Sequence, residues 1–469
     1  MSSTLYSLVG LAAGVAFILA LKGLSHPKTA RRGNLIGAFG ATLATLSVFL
    51  YVTPARGEEV RHALPLHNFW WIVGAIAIGL IIGVPAARKV EMTQMPQLVA
   101  LFNGVGGGAA ALVAIVEYLN LGTGASTAVV IFTVFTVVVG CVSFSGSIIT
   151  FMKLQELMTT RPVVFAGGRF VIAATLAAVL GVCVWVVVEM GTTPLLILAA
   201  LSLIFGVLFV LPVGGADVPI VISLLNAFTG LTVAASGYVL SSTLLIIAGT
   251  LVGASGTILT RLMAEAMGRS LFGTLFGAFT AKPQEASGSA EERPVRSGSA
   301  DDVAILLNYA RRVVIVPGFG LAVAQAQHTV RELADLMLSK GIDVAYGIHP
   351  VAGRMPGHMN VLLAEANVPY DQLAEMDEVN PTFGQTDVAI VIGANDVVNP
   401  AAQTSPGCPI YGMPILEVNH AANIIFLKRS MRPGFAGIEN ELLYDPKTML
   451  LFGDAKASLT KVVSALKGL

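Results

Sequence analysis

The sequence predicts a polytopic α-helical membrane bundle of about nine transmembrane helices, followed by a soluble α/β Rossmann-like doubly wound domain. Three observations predict it. The 469 residues are 55% hydrophobic and 12% charged, with a mean hydropathy of +0.78, far more apolar than a soluble chain of any size needs to be. Lys and Arg divide unevenly, 13 of 28 within 1–280 and 15 within the shorter 281–469. A buried-strand pattern, Val313 to Val316, then runs through Pro317-Gly318-Phe319-Gly320 into a helical pattern. Zero formal net charge gives no sign of a nucleic-acid partner. Cys141, Cys183 and Cys408 lie far apart without CxxC spacing, so neither a disulfide framework nor a metal site is indicated.

At about 20 apolar residues per crossing, helices are expected near 4–24, 33–52, 70–87, 97–119, 126–151, 170–188, 193–213, 218–238 and 243–267. The first lacks the basic n-region of a signal peptide and reads as a retained helix. Nine crossings put the chain ends on opposite sides. Eleven cations (Lys22, Lys28, Arg31, Arg32, Arg88, Lys89, Lys153, Arg161, Arg169, Arg261, Arg269) fall on one side and only Arg56 and Arg61 on the other. The positive-inside rule then puts the N-terminus outside and the soluble domain in the cytoplasm. Small residues at Gly104, Gly106 to Gly108, Gly249, Gly253 and Gly256 allow helix backbones to approach. Residues 281–302 have the polar, Pro/Gly/Ser-rich composition of a flexible tether. Beyond it, strand-like runs at 313–317, 343–348, 387–392, 414–418, 423–427 and 448–452 alternate with helical or loop segments, the pattern of a mostly parallel sheet. The expected domains are therefore 1–280, 281–302 and 303–469.

Gly318-x-Gly320-x-x-Val323 sits where a phosphate cradle belongs, between strand and helix, although Val replaces a third glycine. A fold that prefers NAD usually ends its second strand on an acid that holds the ribose 2′-OH. Here that strand ends Tyr346-Gly347-Ile348-His349, without one. A later strand instead delivers Lys428-Arg429-Ser430 at its carboxyl end, two cations and a hydroxyl that suit a 2′-phosphate and so favour NADP; a solvated basic turn is the plainer reading. Gly393-Ala394-Asn395-Asp396 and Gly453-Asp454-Ala455 follow strands at the same edge, where each acid either meets a ligand or caps the next helix. No histidine lies within an apolar span, so a proton path would rest on Asn103, Asn226, Ser143, Ser145, Glu117, Asp217 and water. Asn103 and Asn226 serve equally as interhelical glue, and Glu117 and Asp217 lie near span ends, where solvent exposure is expected.

The runs Gly318 to Gln327, Gly347 to Glu365, Gly393 to Asp396, Gly412 to Pro414 and Lys428 to Ser430, with Gly214 to Asp217, resemble the β subunit of proton-translocating NAD(P) transhydrogenase over essentially the whole chain. The resemblance implies hydride transfer from NADH to NADP⁺ coupled to inward proton movement in a bacterial inner membrane. It implies NADP(H) on this chain, NAD(H) on a partner α subunit with further transmembrane helices, and a dimer of the whole complex. NADP(H) contacts are then expected from Gly318, Phe319, Gly320, Val351, Ala352, Gly353, Arg354, Met355, Pro356, Gly393, Ala394, Asn395, Asp396, Val397, Gly412, Met413, Lys428, Arg429, Ser430, Met431, Arg432, Pro433, Gly434, Phe435, Asp454 and Ala455. Asp396, Arg354 and His349 are the candidate catalytic residues; Asn103, Asn226, Ser143 and Asp217 would line the proton path, and Arg269 would couple it to the nucleotide domain. Gly434 to Gly437 looks like a loop folding over the nucleotide. Many family members carry His where this chain has Asn103. The residues agree independently: the 167 positions from 303 to 469 hold one dinucleotide fold, whereas exchange between two nicotinamide cofactors needs two. The rival classes are a channel or carrier with a nucleotide-sensing domain and a structural anchor for a soluble dehydrogenase. Gly104 to Gly108 lacks the Tyr and Thr of a potassium filter, which weighs against a channel.

Overall fold

The computed structural model describes residues 3–25, 27–50, 66–121, 125–159, 162–214, 217–266, 270, 273, 293–353, 357–406, 408, 410–434 and 436–469. Arg56, Arg61, Arg161, Arg269, Arg354, Met355, Pro356, Phe435 and the tether from 281 to 292 lie outside the described residues.

Nine long helices precede the sheet among the described residues. They are α1 (Ser3–Leu24), α2 (Pro27–Leu50), α3 (Leu66–Lys89), α4 (Met95–Leu121), α5 (Thr127–Leu154), α6 (Gly168–Glu189), α7 (Thr192–Val210), α8 (Val218–Val239) and α9 (Thr243–Ala266). Seven of them, α3 to α9, are long and apolar enough to cross a membrane, while α1 has only the shorter apolar stretch Leu8–Leu24. In α2, Lys28, Arg31 and Arg32 occupy the first turns and shorten its apolar run. Seven of the nine expected crossings thus meet the length and hydropathy required of a span among the described residues.

The centre of the bundle is built by α4, α5 and α8, with α7 and α9 packed outside them. Small residues set this spacing: a Cβ on Gly249 would lie 2.6 Å from the carbonyl oxygen of Gly230, so α8 and α9 touch backbone to backbone. Hydroxyls and an amide cross-link the same helices. Asn103 Nδ2 donates to Ser147 Oγ at 3.0 Å. Ser143 Oγ donates to the Leu225 carbonyl at 2.9 Å and lies 2.7 Å from Thr229 Oγ1. With no water in the bilayer core to satisfy polar groups, such bonds must be made within protein.

The soluble domain is a six-stranded sheet of β1 (Arg312–Pro317), β2 (Asp343–Ile348), β3 (Leu373–Glu375), β4 (Val388–Ile392), β5 (Asn423–Lys428) and β6 (Thr448–Phe452). All pairs are parallel and the order is β3-β2-β1-β4-β5-β6, which reverses direction between β1 and β4. Helices α10 (Ala300–Asn308), α11 (Phe319–Val323), α12 (Gln327–Ser339), α13 (His358–Glu365), α14 (Met376–Val379), α15 (Ala401–Thr404) and α16 (Ala455–Lys467) complete it. Period-two alternation divides the core: Val313 and Ile315 enter one apolar layer, Val314 and Val316 the other. The expected strand at 414–418 is not formed. Both edges of β4 are taken by β1 and β5, and that run is held instead by Leu416 N–H donating to the Val397 carbonyl and by Asn380, which donates to the Ile415 carbonyl at 3.0 Å and accepts from Glu417 N–H at 3.1 Å. The third strand is instead Leu373–Glu375, three residues long at the sheet edge and too short to stand out as a pattern.

Residues 293–299, expected as tether, lie along β6. Leu450 N–H donates to the Arg296 carbonyl at 2.8 Å and Gly298 N–H to the Leu450 carbonyl at 3.0 Å. Arg293 stacks on the Tyr444 ring, and Ser299 closes a capping box with Asp302 at the start of α10. We expect a soluble fragment beginning at 293 to be more stable than one beginning at 303 by roughly 2–4 kcal/mol, the sum of two edge bonds and a cap. Urea unfolding of the two fragments measures this; equal midpoints would mean that 293–299 adds nothing.

Candidate nucleotide-binding site

The loops after β1 and β4 meet where the sheet changes direction, the place at which open α/β sheets bind ligands. Gly318 N–H donates to the Ile392 carbonyl at 2.9 Å and Gly320 N–H to the Gly393 carbonyl at 3.0 Å. The fit excludes side chains: a Cβ on Gly320 would lie 2.7 Å from Gly393 Cα. The two glycines of the sequence motif therefore bring one loop onto another as well as opening space for a ligand. The expected long helix after the motif is interrupted. A five-residue α11 ends before Gln325, whose φ is +47°, and α12 begins at Gln327.

A cleft of about 560 Å³ opens beside this junction, within the usual range for a small-molecule site. Gly320, Gly393, Ala394 and Asn395 form one wall; Lys428, Arg429, Ser430, Arg432, Pro433 and Gly434 form the second; Asp454 and Ala455 close the end. Val323 and Gly453, which the sequence motifs contain, also line it, as do Ala324 and Leu427, which sequence reasoning missed. Lys428 Nζ donates to the Arg432 carbonyl at 3.0 Å and to Asn395 Oδ1 at 3.4 Å. Burial pulls its pKa below the ordinary lysine value, against the opposing pull of the Asp396 and Glu439 carboxylates. Asp454 caps α16 by accepting from Ala457 N–H at 3.1 Å, so at least one of its oxygens serves the helix. Asp396 Oδ2 accepts from Ala436 N–H at 2.9 Å. A Cβ on Gly434 would lie 2.5 Å from Asp396 Oδ1, so the 434–437 loop folds back onto Asp396 only with glycine there. Asn440, buried and without any sequence signal, donates to the Asn395 carbonyl at 3.1 Å and holds the second wall to the first.

Gly318, Phe319, Val351, Ala352, Gly353, Asp396, Val397, Gly412, Met413 and Met431 do not line the cleft. Val351, Val397 and Met413 belong to a separate apolar cluster in which Ile220, Met263 and Ala264 of the membrane helices pack against Ala401, Ala402, Cys408, Ile410 and Ile415. His349 ties these loops together. It is 1% exposed, its Nδ1 accepts from Val351 N–H at 3.2 Å, and its Nε2 lies 2.7 Å from the Pro414 carbonyl. The neutral ring must then carry its proton on Nε2. With both nitrogens spent on backbone, His349 is built as a brace between loops, contrary to the catalytic role expected of it.

Residues 6–465 match the family described as NAD(P) transhydrogenase beta subunit. The NAD(P) transhydrogenase subunit beta of Rhodospirillum rubrum is 47% identical over 465 residues, covering 97% of this chain and 98% of the relative. A second sequence from a strain of that organism matches to the same extent. The chain belongs to the NAD(P) transhydrogenase beta-subunit family.

For a member of this family, the polar residues of the spans are placed unevenly. Asn103 and Ser143 are buried where α4, α5 and α8 meet, and Asn103 Oδ1 has no hydrogen-bond partner among the described residues. Asn226, on α8, is exposed. Asp217, expected at a solvated end, is buried just before α8. Among the described residues Ser145 bonds within its own helix, to the Cys141 carbonyl, and Glu117 is half-buried.

Burial holds the pKa of His349 down to about 4, against an ordinary value of 6.5. The unfolded chain therefore takes up a proton that the folded chain refuses. Stability is fully present above about pH 6.5 and falls as the pH drops towards 4, by roughly 3 kcal/mol over that window. His349→Gln should flatten this dependence in thermal unfolding of the 293–469 fragment. An unchanged acid slope would place the titrating group elsewhere.

Proposed function

We propose that this chain is the NADP(H)-binding and proton-conducting half of a transhydrogenase, with NADP(H) in the cleft beside the β1 and β4 loops and NAD(H) on a partner α subunit. The cleft carries the reading. Its second wall supplies two or three cations and a hydroxyl, and β2 ends on a braced histidine without the acid that would favour NAD. Gly320, Gly393 and Gly434 line the cleft without side chains of their own, the close backbone approach that a pyrophosphate needs. When bound, the nicotinamide supplies the hydride chemistry; the protein supplies orientation. Lys428 and Arg429 would pair with the 2′-phosphate, Ser430 would donate to it, and Asp396 would anchor the 434–437 loop above the nucleotide. By resemblance to the family, Val351 to Gly353, Gly412 and Met413 would also contact the nucleotide.

In the membrane, we assign all nine helices to crossings, with the N-terminus outside, the nucleotide domain in the cytoplasm and the complex in a bacterial inner membrane, dimeric as a whole. Asn103 cannot titrate near neutral pH. Its Oδ1, without a partner among the described residues, and the exposed Asn226 support a route completed by a helix from the partner, whose ionisable side chain or ordered water takes up the proton. Arg269 and the tether would pass the event towards the nucleotide domain.

Vesicles carrying this chain with its α subunits should reduce an NADP analogue with NADH, at a rate that changes when an uncoupler collapses the proton gradient. A channel or a mere anchor would show no such transfer. Arg429→Ala should weaken NADP(H) by roughly tenfold or more, as expected for one charge-assisted bond of about 1.5–3 kcal/mol, while residual NAD(H) binding hardly moves; calorimetry showing equal losses would reject the 2′-phosphate assignment. Asn103→Leu should abolish coupled turnover with NADP(H) binding near normal, and Asn103→His should keep part of it. If Asn103→Leu pumps like the parent, the amide is only interhelical glue.

A further inference from the structure

Lys153 stands in the last turn of α5, and the loop-charge count treats it as a solvated cation. It is 1% exposed. Its Nζ donates to the carbonyls of Val210 at 3.2 Å, Leu211 at 2.6 Å and Val213 at 2.7 Å. An ammonium has three N–H donors, so its capacity is spent on the backbone where α7 ends and the chain turns towards α8. A cation suits the negative end of a helix. Burying one is still an expensive way to finish a helix, and α6 ends without any such side chain, on the Met190 N–H alone. Its position in the bundle gives a better reason.

The helix that carries Lys153 also carries Ser147, which accepts from Asn103, and Ser143, which bonds to Leu225 of α8. The turn that Lys153 grips leads through Asp217 into α8. The first turn of α8 bears Ile220, which packs with Met263 and Ala264 against Ala401, Ala402 and Met413 of the nucleotide domain. Next to Met413, the Pro414 carbonyl holds His349. One side chain therefore joins the helix of the buried amide–hydroxyl pair to the turn on which the nucleotide domain is seated.

We propose that Lys153 is a positioning residue of proton coupling: by gripping the Val210, Leu211 and Val213 carbonyls it makes any shift of α5 move the α7–α8 turn, and with it the Ile220 face beneath the nucleotide domain. The inference rests on the proton-coupled reading above, which fails separately if the parent complex transfers hydride without moving protons. Replacing Lys153 should uncouple the enzyme and leave its hydride chemistry running.

The test uses the complete complex in vesicles and reads protons moved per hydride transferred, together with the uncoupled hydride-transfer rate. Lys153→Met should lower the ratio by about fivefold or more, the low end of ordinary site-to-site coupling, while the uncoupled rate stays within about twofold of the parent. Lys153→Arg, which keeps the cation, should recover at least half of the parent ratio. An unchanged ratio, or a proportional fall in both readouts, would reduce Lys153 to a helix cap and overturn the proposal. Should Lys153→Met not assemble, hydrogen exchange of 209–222 in the parent complex decides. Protection of that turn should differ between vesicles with and without a proton gradient, and identical exchange overturns the proposal.

Discussion

Two backbone bonds, Gly318 to Ile392 and Gly320 to Gly393, are the constraint on which the nucleotide site depends. They join the loops that leave β1 and β4 in opposite directions, and the cleft is the space this divergence leaves. Everything else in the site is hung from that junction. Asn395 follows Gly393 directly, Lys428 and Asn440 bond to Asn395, and Asp396 next to it receives Ala436. A side chain at either glycine would part the loops and with them both walls. Catalysis of this kind needs two cofactors held in register more than it needs acid or base groups, so a stiff junction with few titrating residues suits it.

Much of this was legible in the sequence because it rests on period and punctuation. Continuous apolar runs mark β1, β4, β5 and β6, and glycines (Gly318, Gly393, Gly453) or cations (Lys428, Arg429) at or after their carboxyl ends mark the functional edge. What escaped had no periodic signal. Leu373–Glu375 is too short to stand out as a run, and 414–418 has the right composition but is pinned by Asn380 instead of pairing with a strand. Asn440 does its work through one carbonyl some forty-five positions away in sequence. His349 looks like a reactive group until its two backbone partners are seen, and Lys153 looks like a loop charge until three carbonyls surround it. In both cases the residue type announces chemistry and the neighbours assign structure.

The membrane half obeys a stricter economy. A proton crossing 100 mV carries about 2.3 kcal/mol, enough to shift a nucleotide equilibrium roughly fifty-fold. Such a quantity is easily lost in a soft structure. The helices that carry the buried polar groups are also those packed most closely, through Gly230 and Gly249 and through hydroxyl bonds between α5 and α8.

The strand-like segment 293–299 also bears on how the chain is made. It precedes the nucleotide domain in sequence, yet its partner is β6, the last strand of the sheet in chain order, and α10 packs against α16, the last helix. The first parts of the domain to leave the ribosome therefore wait for the final ones before they can bury their apolar faces. Membrane insertion of the preceding helices has that interval to finish. The domain then closes in a late step, in which β6 slots between β5 and 293–299, and its outer edge is covered from the moment it forms, out of reach of edge-to-edge aggregation.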